Sequence, residues 1–515
     1  NFKNTDAQIE GYNFKLLNAA GRLDFKEKDM FFETTQGKIK NSAVKITGNA
    51  DLTGNVDFKV KSDSFDISEL LSIAKTSKNL KSKAELLAPV EKAGGNCGVE
   101  LEIKGFGRDF IKVMEKAVIS GKISFKNNSA KSVLAPIEAK KINGTANFNN
   151  DDWNADLNTE ILSSKFFVKA KSYKNELSAS ISAPALYLDA VLNSPALRIY
   201  EKGDFKNFPP TNSVMELKAD YKGSAKKIEK NKIKMKGTFK PSPGSESPFV
   251  ISSGSVELFD GDLSVKNFRA KVFNSTAKLH GKIIRVFSEK PVYNYDLSVM
   301  NFDVANFERL KTMHFMPQYM QKILNTYEKY AGRADVNLTC RNNSNRGKIK
   351  LQQIAFVQKS LQIPINVDSG EIHVDGDKIL LKSINAKFDN NPIFMNSSVT
   401  NLAKNPGFNG YITTKLTESF INKYVNSNLT YPLKVKGDIT FTSEFSGDDR
   451  GITVKPVIKL NEDADIYYMG ASLGDTSDKR EITGNIHIKN GVFDIRKLTY
   501  LRYMTSQNDY SYPLE

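Results

Sequence analysis

The sequence is poor in the residues that usually carry chemistry. Of 515 residues, two are cysteine, four are histidine and one is tryptophan. Cys97 and Cys340 lie far apart and form no C-x-x-C pair. A thiolate zinc site and a disulfide framework are therefore unsupported, and the spacing leaves open whether the two pair with each other. Such low usage fits a reducing compartment or a bacterial envelope protein that avoids thiols. None of His280, His314, His373 and His487 stands at metal-ligand spacing from another His or from a Cys. His280, His373 and His487 fall in strand-like stretches and read as surface or edge residues. G-x-S-x-G, a P-loop and a G-x-G-x-x-G in a βαβ setting are all missing. Carboxylates are numerous, but they sit on the polar side of alternating stretches, where solvent and ion pairs claim them. No enzyme class, no cofactor and no metal is indicated.

Long apolar runs are missing too. None reaches the ~18 residues of a membrane-spanning helix, and no secretory leader is visible. The chain opens on Asn1, already inside a pattern. Glycine and proline do not gather into a linker, so nothing marks a domain boundary, although the length allows about three or four domains. The expectation is one continuous repetitive segment over residues 1–515, itself part of a longer chain.

Charge of one sign is in excess: Lys and Arg total 74 against 58 Asp and Glu, a net +16 with a pI near 9.3. Nucleic acid, an anionic lipid surface and simple solubility all fit such a balance. The positive residues are mostly Lys, spread along polar strand faces, with no Arg-rich arm. The plain reading is a solvated lysine face. Anionic lipid comes next, and nucleic acid is not expected as a partner.

What is present is alternation. In "VKITGNADLTGNVDFKVK", apolar Val44, Ile46, Ala50, Leu52, Val56, Phe58 and Val60 alternate with Lys45, Thr47, Asn49, Asp51, Thr53, Asn55, Asp57 and Lys59. Period two gives a strand with one oily and one wet face. "LKVKGDITFTSEF" repeats the pattern with Leu433, Val435, Ile439 and Phe441. Turn signals such as Asp260-Gly261 and Asn490-Gly491 separate such stretches. Similar openings recur at Gly21, Gly121, Gly254, Gly370 and Gly484, so successive starts are 100, 133, 116 and 114 residues apart.

Late in each repeat a strand runs into a short helix. "SDSFDISELL" shows this at Phe65, "VMNFDVANFERL" at Phe302, "TKLTESFINKYV" at Glu418 and, more loosely, "SAPALYLDAVL" at Leu188. Asp66 or Ser68, Asp303 and Thr417 are suited to accept backbone N–H bonds at these helix starts. "FDIRKL" at Phe493 follows Gly484 too closely and reads as the second strand of a hairpin. A longer helical insert is expected over about 305–331. There Pro317 opens a helix whose apolar stripe is Tyr319, Met320, Ile323, Leu324, Tyr327 and Tyr330, closed by Gly332. Thr76–Gly95 reads as helix or loop and Arg108–Ala117 as a short helix.

These signals predict a mainly β chain: an elongated, curled antiparallel sheet built from repeats, with a few short helices. A one-sided sheet must cover its oily face with a second sheet, by closure or with helices. Helices are few here, and the β pattern runs on for hundreds of residues. A curled sheet instead folds that face into a trough and leaves it for acyl chains, each buried CH₂ contributing ~0.8 kcal/mol. Some 25 to 30 strands at ~4.8 Å each make a trough on the order of 130 Å long. The candidate lining is Val44, Ile46, Leu52, Val56, Phe58, Val60, Leu433, Val435, Ile439 and Phe441. The competing reading of these residues is the core of a closed sandwich.

The strings "VKITGNADLTGNVDFKVKSDSFDISELLSIA", "AKLHGKIIRVFSEKPVYNYDLSVMNFDVANFERL" and "ITGNIHIKNGVFDIRKL" resemble the AsmA-like family of the Gram-negative envelope, bridge-like lipid transfer proteins among which are AsmA, TamB and YhdP. The likeness is one of rhythm, "G-x-h-x-h" strands followed by "FD-h-x-x-L", and extends loosely over most of the chain. It implies a taco-like groove that conducts phospholipid between inner and outer membranes. It also implies a periplasmic location, an inner-membrane anchor outside these residues, and inner- and outer-membrane proteins as partners at the two ends. It supplies no catalytic residues. Two other readings stand beside it: a structural or adhesive envelope protein of tandem β domains, and an outer-membrane protein assembly factor.

Overall fold

The computed structural model describes residues 1–8, 15–76, 90–106, 117–133, 137–150, 152–194, 211–225, 227–242, 247–311, 321, 324–360, 362–401, 406–426, 431–437, 439–448, 450–460, 464–468, 471–472, 479–489, 492–503 and 509–514. The fold is mainly β, antiparallel, with a few short helices. It divides into two compact units, Asn1–Phe268 with Ile283–Pro291, and Arg269–Lys282 with Val292–Glu515.

In the first unit the strands form one antiparallel ladder in which each pairs with the next: Phe2–Gln8, Lys15–Lys26, Asp29–Ile39, Lys45–Asp51, Asn55–Asp66, Asn96–Phe106, Val118–Ser132, Glu138–Asn149, Asp152–Ile161, Ser164–Tyr173, Glu176–Tyr187, Ser213–Ser224, Ile233–Pro241 and Phe249–Phe259. The second unit repeats the arrangement through Val292–Asp303, Tyr327–Arg341, Ser344–Gln358, Ile363–Asp375, Lys378–Phe388, Asn391–Thr400, Gly407–Leu416, Ile439–Asp448, Gly451–Leu460, Lys479–Lys489, Val492–Tyr503 and Asp509–Leu514. Neither ladder closes on itself. A small three-stranded sheet, Lys434–Lys436 with Asp465–Tyr468 and Ala471–Ser472, accompanies the second.

Directly paired residues share a face of the sheet, so the register turns alternation into continuous rows. Across nine strands of the first unit, one row reads Cys97, Phe125, Gly144, Leu157, Val168, Ile181, Ala219, Met235 and Leu258. On the other face Lys45, Lys61, Glu100, Lys122, Asn147, Asn154, Lys171, Ser178 and Lys222 line up in the same way. The second unit carries Val299, Val336, Ile349, Ile372, Leu381, Ser397, Gly410, Phe445, Val454, Ile486 and Ile495 in one row. Surface ion pairs such as Lys59–Glu102 and Lys61–Glu100 cross strands on the polar face.

The repeating strand-to-helix junctions are caps on the apolar face. They begin at Ile67, Leu188, Val304 and Glu418, so successive starts are 121, 116 and 114 residues apart, two in each unit. Each cap owns one core cluster. Ile73 packs with Leu16, Ile39, Val44, Phe65 and Val99. Leu188 packs with Phe166, Ala183, Leu186, Met215 and Val256. Val304 joins Tyr330, Ile354, Val367 and Ile384, and Ile421 joins Val435, Ile439, Leu460 and Ile482. Three of the starts are capped as the sequence suggests. Asp66 Oδ1 accepts from Ser68 N at 2.7 Å, Asp303 Oδ1 from Ala305 N at 3.0 Å and Thr417 Oγ1 from Phe420 N at 3.3 Å. The looser junction at Leu188 has no side-chain cap, and Asp189 instead accepts from Thr211 N and Oγ1, both at 2.6 Å.

Two local expectations give way. "VKITGNADLTGNVDFKVK" is a hairpin, not one strand, with its turn at Leu52–Gly54. Tyr327, Tyr330 and Gly332 belong to strand Tyr327–Arg341 rather than to a helix. Lys329 there takes a left-handed φ of 55° and the register slips, a bulge that brings both tyrosines against Phe356. Val90–Gly94 is a strand, while residues 77–89, 108–116, 319–320 and 323 lie outside the described residues. "FDIRKL" is the second strand of a hairpin, Val492–Tyr503 pairing with Lys479–Lys489.

Candidate functional site

The apolar face divides into two kinds of surface. Beneath the four caps its side chains are buried. Away from them they stay half-buried: Ile103, Ile119, Phe148, Leu157, Val168 and Leu177 in the first unit, and Val336, Ile349, Ile372, Leu381 and Val454 in the second. A second sheet packed at the usual ~10 Å would bury such residues fully. Some are plainly open to solvent, Ile495 being 62% exposed. Glycines on this face make room for large neighbours. At Gly48 a Cβ would stand 2.4 Å from Phe58 Cδ1, so the ring lies across the glycine and widens the apolar surface.

The ten residues named from sequence separate accordingly. Phe58 and Phe441 are half-buried on the wall, and Ile46 and Val60, also half-buried, pack against the first cap's cluster. Val44 is buried in the cluster under helix Ile67–Thr76, and Val56 is buried opposite Ala50 and Gly105. Leu52 is on the hairpin turn and 81% exposed, and does not line the wall. Val435 belongs to the small sheet, and with Ile439, only 2% exposed, it is sealed by Ile421, Leu460, Ala464 and Ile466. Leu433 packs against the same cluster. These three are covered by the chain itself. Sequence reasoning missed most of the wall between residues 97 and 258 and between 297 and 412. The signal was there, as the same period-two spacing in strands such as Asp152–Ile161 and Ser164–Tyr173.

Among the described residues no cluster of His, Cys, Asp and Glu is placed to hold a metal ion. Cys97 and Cys340 are both free thiols and both buried. Burial pushes the Cys97 thiol up to about 11, with the Asp66 charge adding to it, so the thiolate that would act as a nucleophile is suppressed. Glu69 is buried at the first cap, where it accepts from Asn41 N at 3.1 Å, Asn41 Nδ2 at 2.7 Å and Ser42 Oγ at 2.6 Å. These contacts tie the helix to the strands. What the arrangement offers is a wide apolar surface, interrupted at intervals by caps and backed by a polar, charged face. No family model, curated protein or solved structure matches the chain.

Proposed function

We propose that the chain is a periplasmic, bridge-like protein that holds phospholipid acyl chains against the apolar face of its sheet and conducts lipid between the inner and outer membranes. One observation supports the reading above the rest: each unit carries a row of mostly apolar residues across at least nine strands, and away from the caps most of their side chains are half-buried or exposed. A surface of that extent in water is costly at about 25 cal/mol per Å². Hydrocarbon tails cover it without needing hydrogen-bond partners or a fixed register, so one wall accepts many lipids and lets them move. The AsmA-like rhythm of the sequence supports the same assignment.

The reading gives no role to covalent chemistry. Lipid slides along a surface, and the caps divide that surface at near-regular intervals. Extraction of the purified protein with organic solvent, followed by mass spectrometry, tests the proposal. Phospholipid in stoichiometric amounts or above is expected. Protein that stays folded and monodisperse after mild purification yet carries no lipid would count against the groove.

A further inference from the structure

The polar face of the second unit carries a cleft of its own. It spans strands Lys378–Phe388, Asn391–Thr400, Gly407–Leu416, Ile439–Asp448 and Gly451–Leu460 and encloses about 650 Å³, within the range of ligand clefts, roughly 300–1,000 Å³. Amides and hydroxyls line it, Asn396, Asn409, Ser398, Ser446 and Thr453, together with Leu380, Leu381 and Phe445. Ser398, Asn409, Ser446 and Thr453 succeed one another in a single cross-strand row. Ser383 N donates to Asn396 Oδ1 at 2.7 Å, and Ser398 Oγ donates to Asn409 Oδ1 at 2.9 Å. Both amide oxygens are thereby engaged, which leaves the NH₂ groups as donors for a ligand.

Two large aromatic side chains stand exposed on this face. Tyr411 is 40% exposed and Phe394 is 37% exposed. Tyr411 is paired with Asn396 and Phe394 with Thr413, so the two rings are diagonal neighbours on adjacent strands, a placement about 7–8 Å apart. Neither belongs to any of the four core clusters. Three charged residues line the cleft, Lys382, Lys455 and Glu444, with Glu444 directly opposite Lys455, so the lining carries a single uncompensated lysine. One uncompensated lysine, with no arginine beside it, is not the cationic cluster that a phosphate-rich ligand calls for.

Paired exposed rings, amide donors, hydroxyls and a low net charge together describe the chemistry that recognises sugars. A pyranose presents a C–H face that stacks on an aromatic ring and a rim of hydroxyls that hydrogen-bond to amides. We infer that this cleft binds an uncharged oligosaccharide, with one sugar ring stacked on Tyr411 in the cleft, the next on Phe394 beside it, and their hydroxyls bonded to Asn396, Asn409 and Ser398. Tyr411, Asn396, Asn409 and Ser398 lie on the face opposite the apolar wall, although Leu381, Ser397, Gly410 and Phe445 of the apolar row also line the cleft, so sugar binding through the first four is tested separately from lipid binding.

Isothermal titration of the full chain with cellohexaose, chitohexaose and maltohexaose tests the inference, with hexametaphosphate as the anionic control. At least one neutral hexasaccharide is expected to bind saturably, and polyphosphate is not. Tyr411→Ala and Phe394→Ala should each weaken binding by about tenfold or more, near 1.4 kcal/mol, while Tyr411→Phe retains it. Saturation transfer from the Tyr411 ring protons to the sugar reads the same contact in the unaltered protein, so a variant that folds poorly does not decide the matter. Absence of binding by all three sugars, preference for polyphosphate, or unchanged affinity in the alanine variants would overturn the inference.

Discussion

Ile439 and Leu52 are both apolar positions in alternating stretches, yet their surroundings give them opposite weight. Ile439 is 2% exposed, among Ile421, Leu460 and Ile482. Truncating it leaves a cavity as well as losing transfer energy. Ile439→Ala is therefore expected to destabilise the protein by about 2–5 kcal/mol, whereas Leu52→Ser on its exposed turn should change stability by no more than about 0.5 kcal/mol. Denaturant melts of the two variants check this, and equal losses would contradict the placement of Leu52. Beside it, the Asp51 carboxylate accepts from Thr53 Oγ1 at 2.6 Å, Asn55 Nδ2 at 2.6 Å and Asn55 N at 2.9 Å. These bonds, the one from Thr53 foremost, favour the charged form and hold its pKa down at about 2 against an ordinary 3.8. A depressed carboxylate stabilises the fold above its unfolded pKa, and the contribution is lost as pH falls from about 4 towards 2. An NMR carboxyl titration should place the Asp51 midpoint near 2. A midpoint at the ordinary aspartate value would show that the turn bonds do not persist in solution.

Among the elements, the caps and the bulges give the sheet its punctuation. Glu69→Ala removes the acceptor for Asn41 and Ser42 at a buried site, and should cost about 1–3 kcal/mol. Hydrogen exchange should quicken first in helix Ile67–Thr76, and an unperturbed helix would contradict the tie. Four of the bulges share one device. Asn18 N donates to Asp6, Asn127 N to Asn143, Asn301 N to Asp335 and Ser383 N to Asn396, each at 2.7 to 2.9 Å. All four donors sit at positive φ, so an Asx side chain on the next strand satisfies the amide that the bulge takes out of the ladder. Much of this level was legible in the sequence. Period two gave the strands, and Asp66, Asp303 and Thr417 gave three of the helix starts. The misreadings have geometric causes. Ala50 pairs with Val56 across the turn, so even-numbered residues keep one face through the hairpin and the alternation passes Leu52 and Gly54 unbroken. At Lys329 the bulge brings residues three apart, Tyr327 and Tyr330, to the same neighbour, which imitates helical spacing inside a strand. The sealing of Val435 and Ile439 depends on Ile421, Ala464 and Ile466, contacts that no local pattern reports. The cleft around Tyr411 joins five strands and had no signature along the chain.

At the scale of the molecule, the account rests on one asymmetry: an apolar face that the protein's own caps cover only in places, and a polar face that water satisfies. Both faces happen to carry phenylalanines, which allows the same chemical probe to be set on each. Phe58, Phe148 and Phe445 lie in apolar rows, opposite Ile103, Trp153 and Val454. Phe31, Phe167 and Phe394 lie in polar rows, opposite Asn49, Asn158 and Thr413. The most direct measurement replaces each in turn with photoreactive benzoylphenylalanine, irradiates the protein in cells, and weighs the adducts. The account predicts phospholipid attached at Phe58, Phe148 and Phe445 and none at Phe31, Phe167 and Phe394. Lipid captured equally on both faces, or on neither, would contradict it.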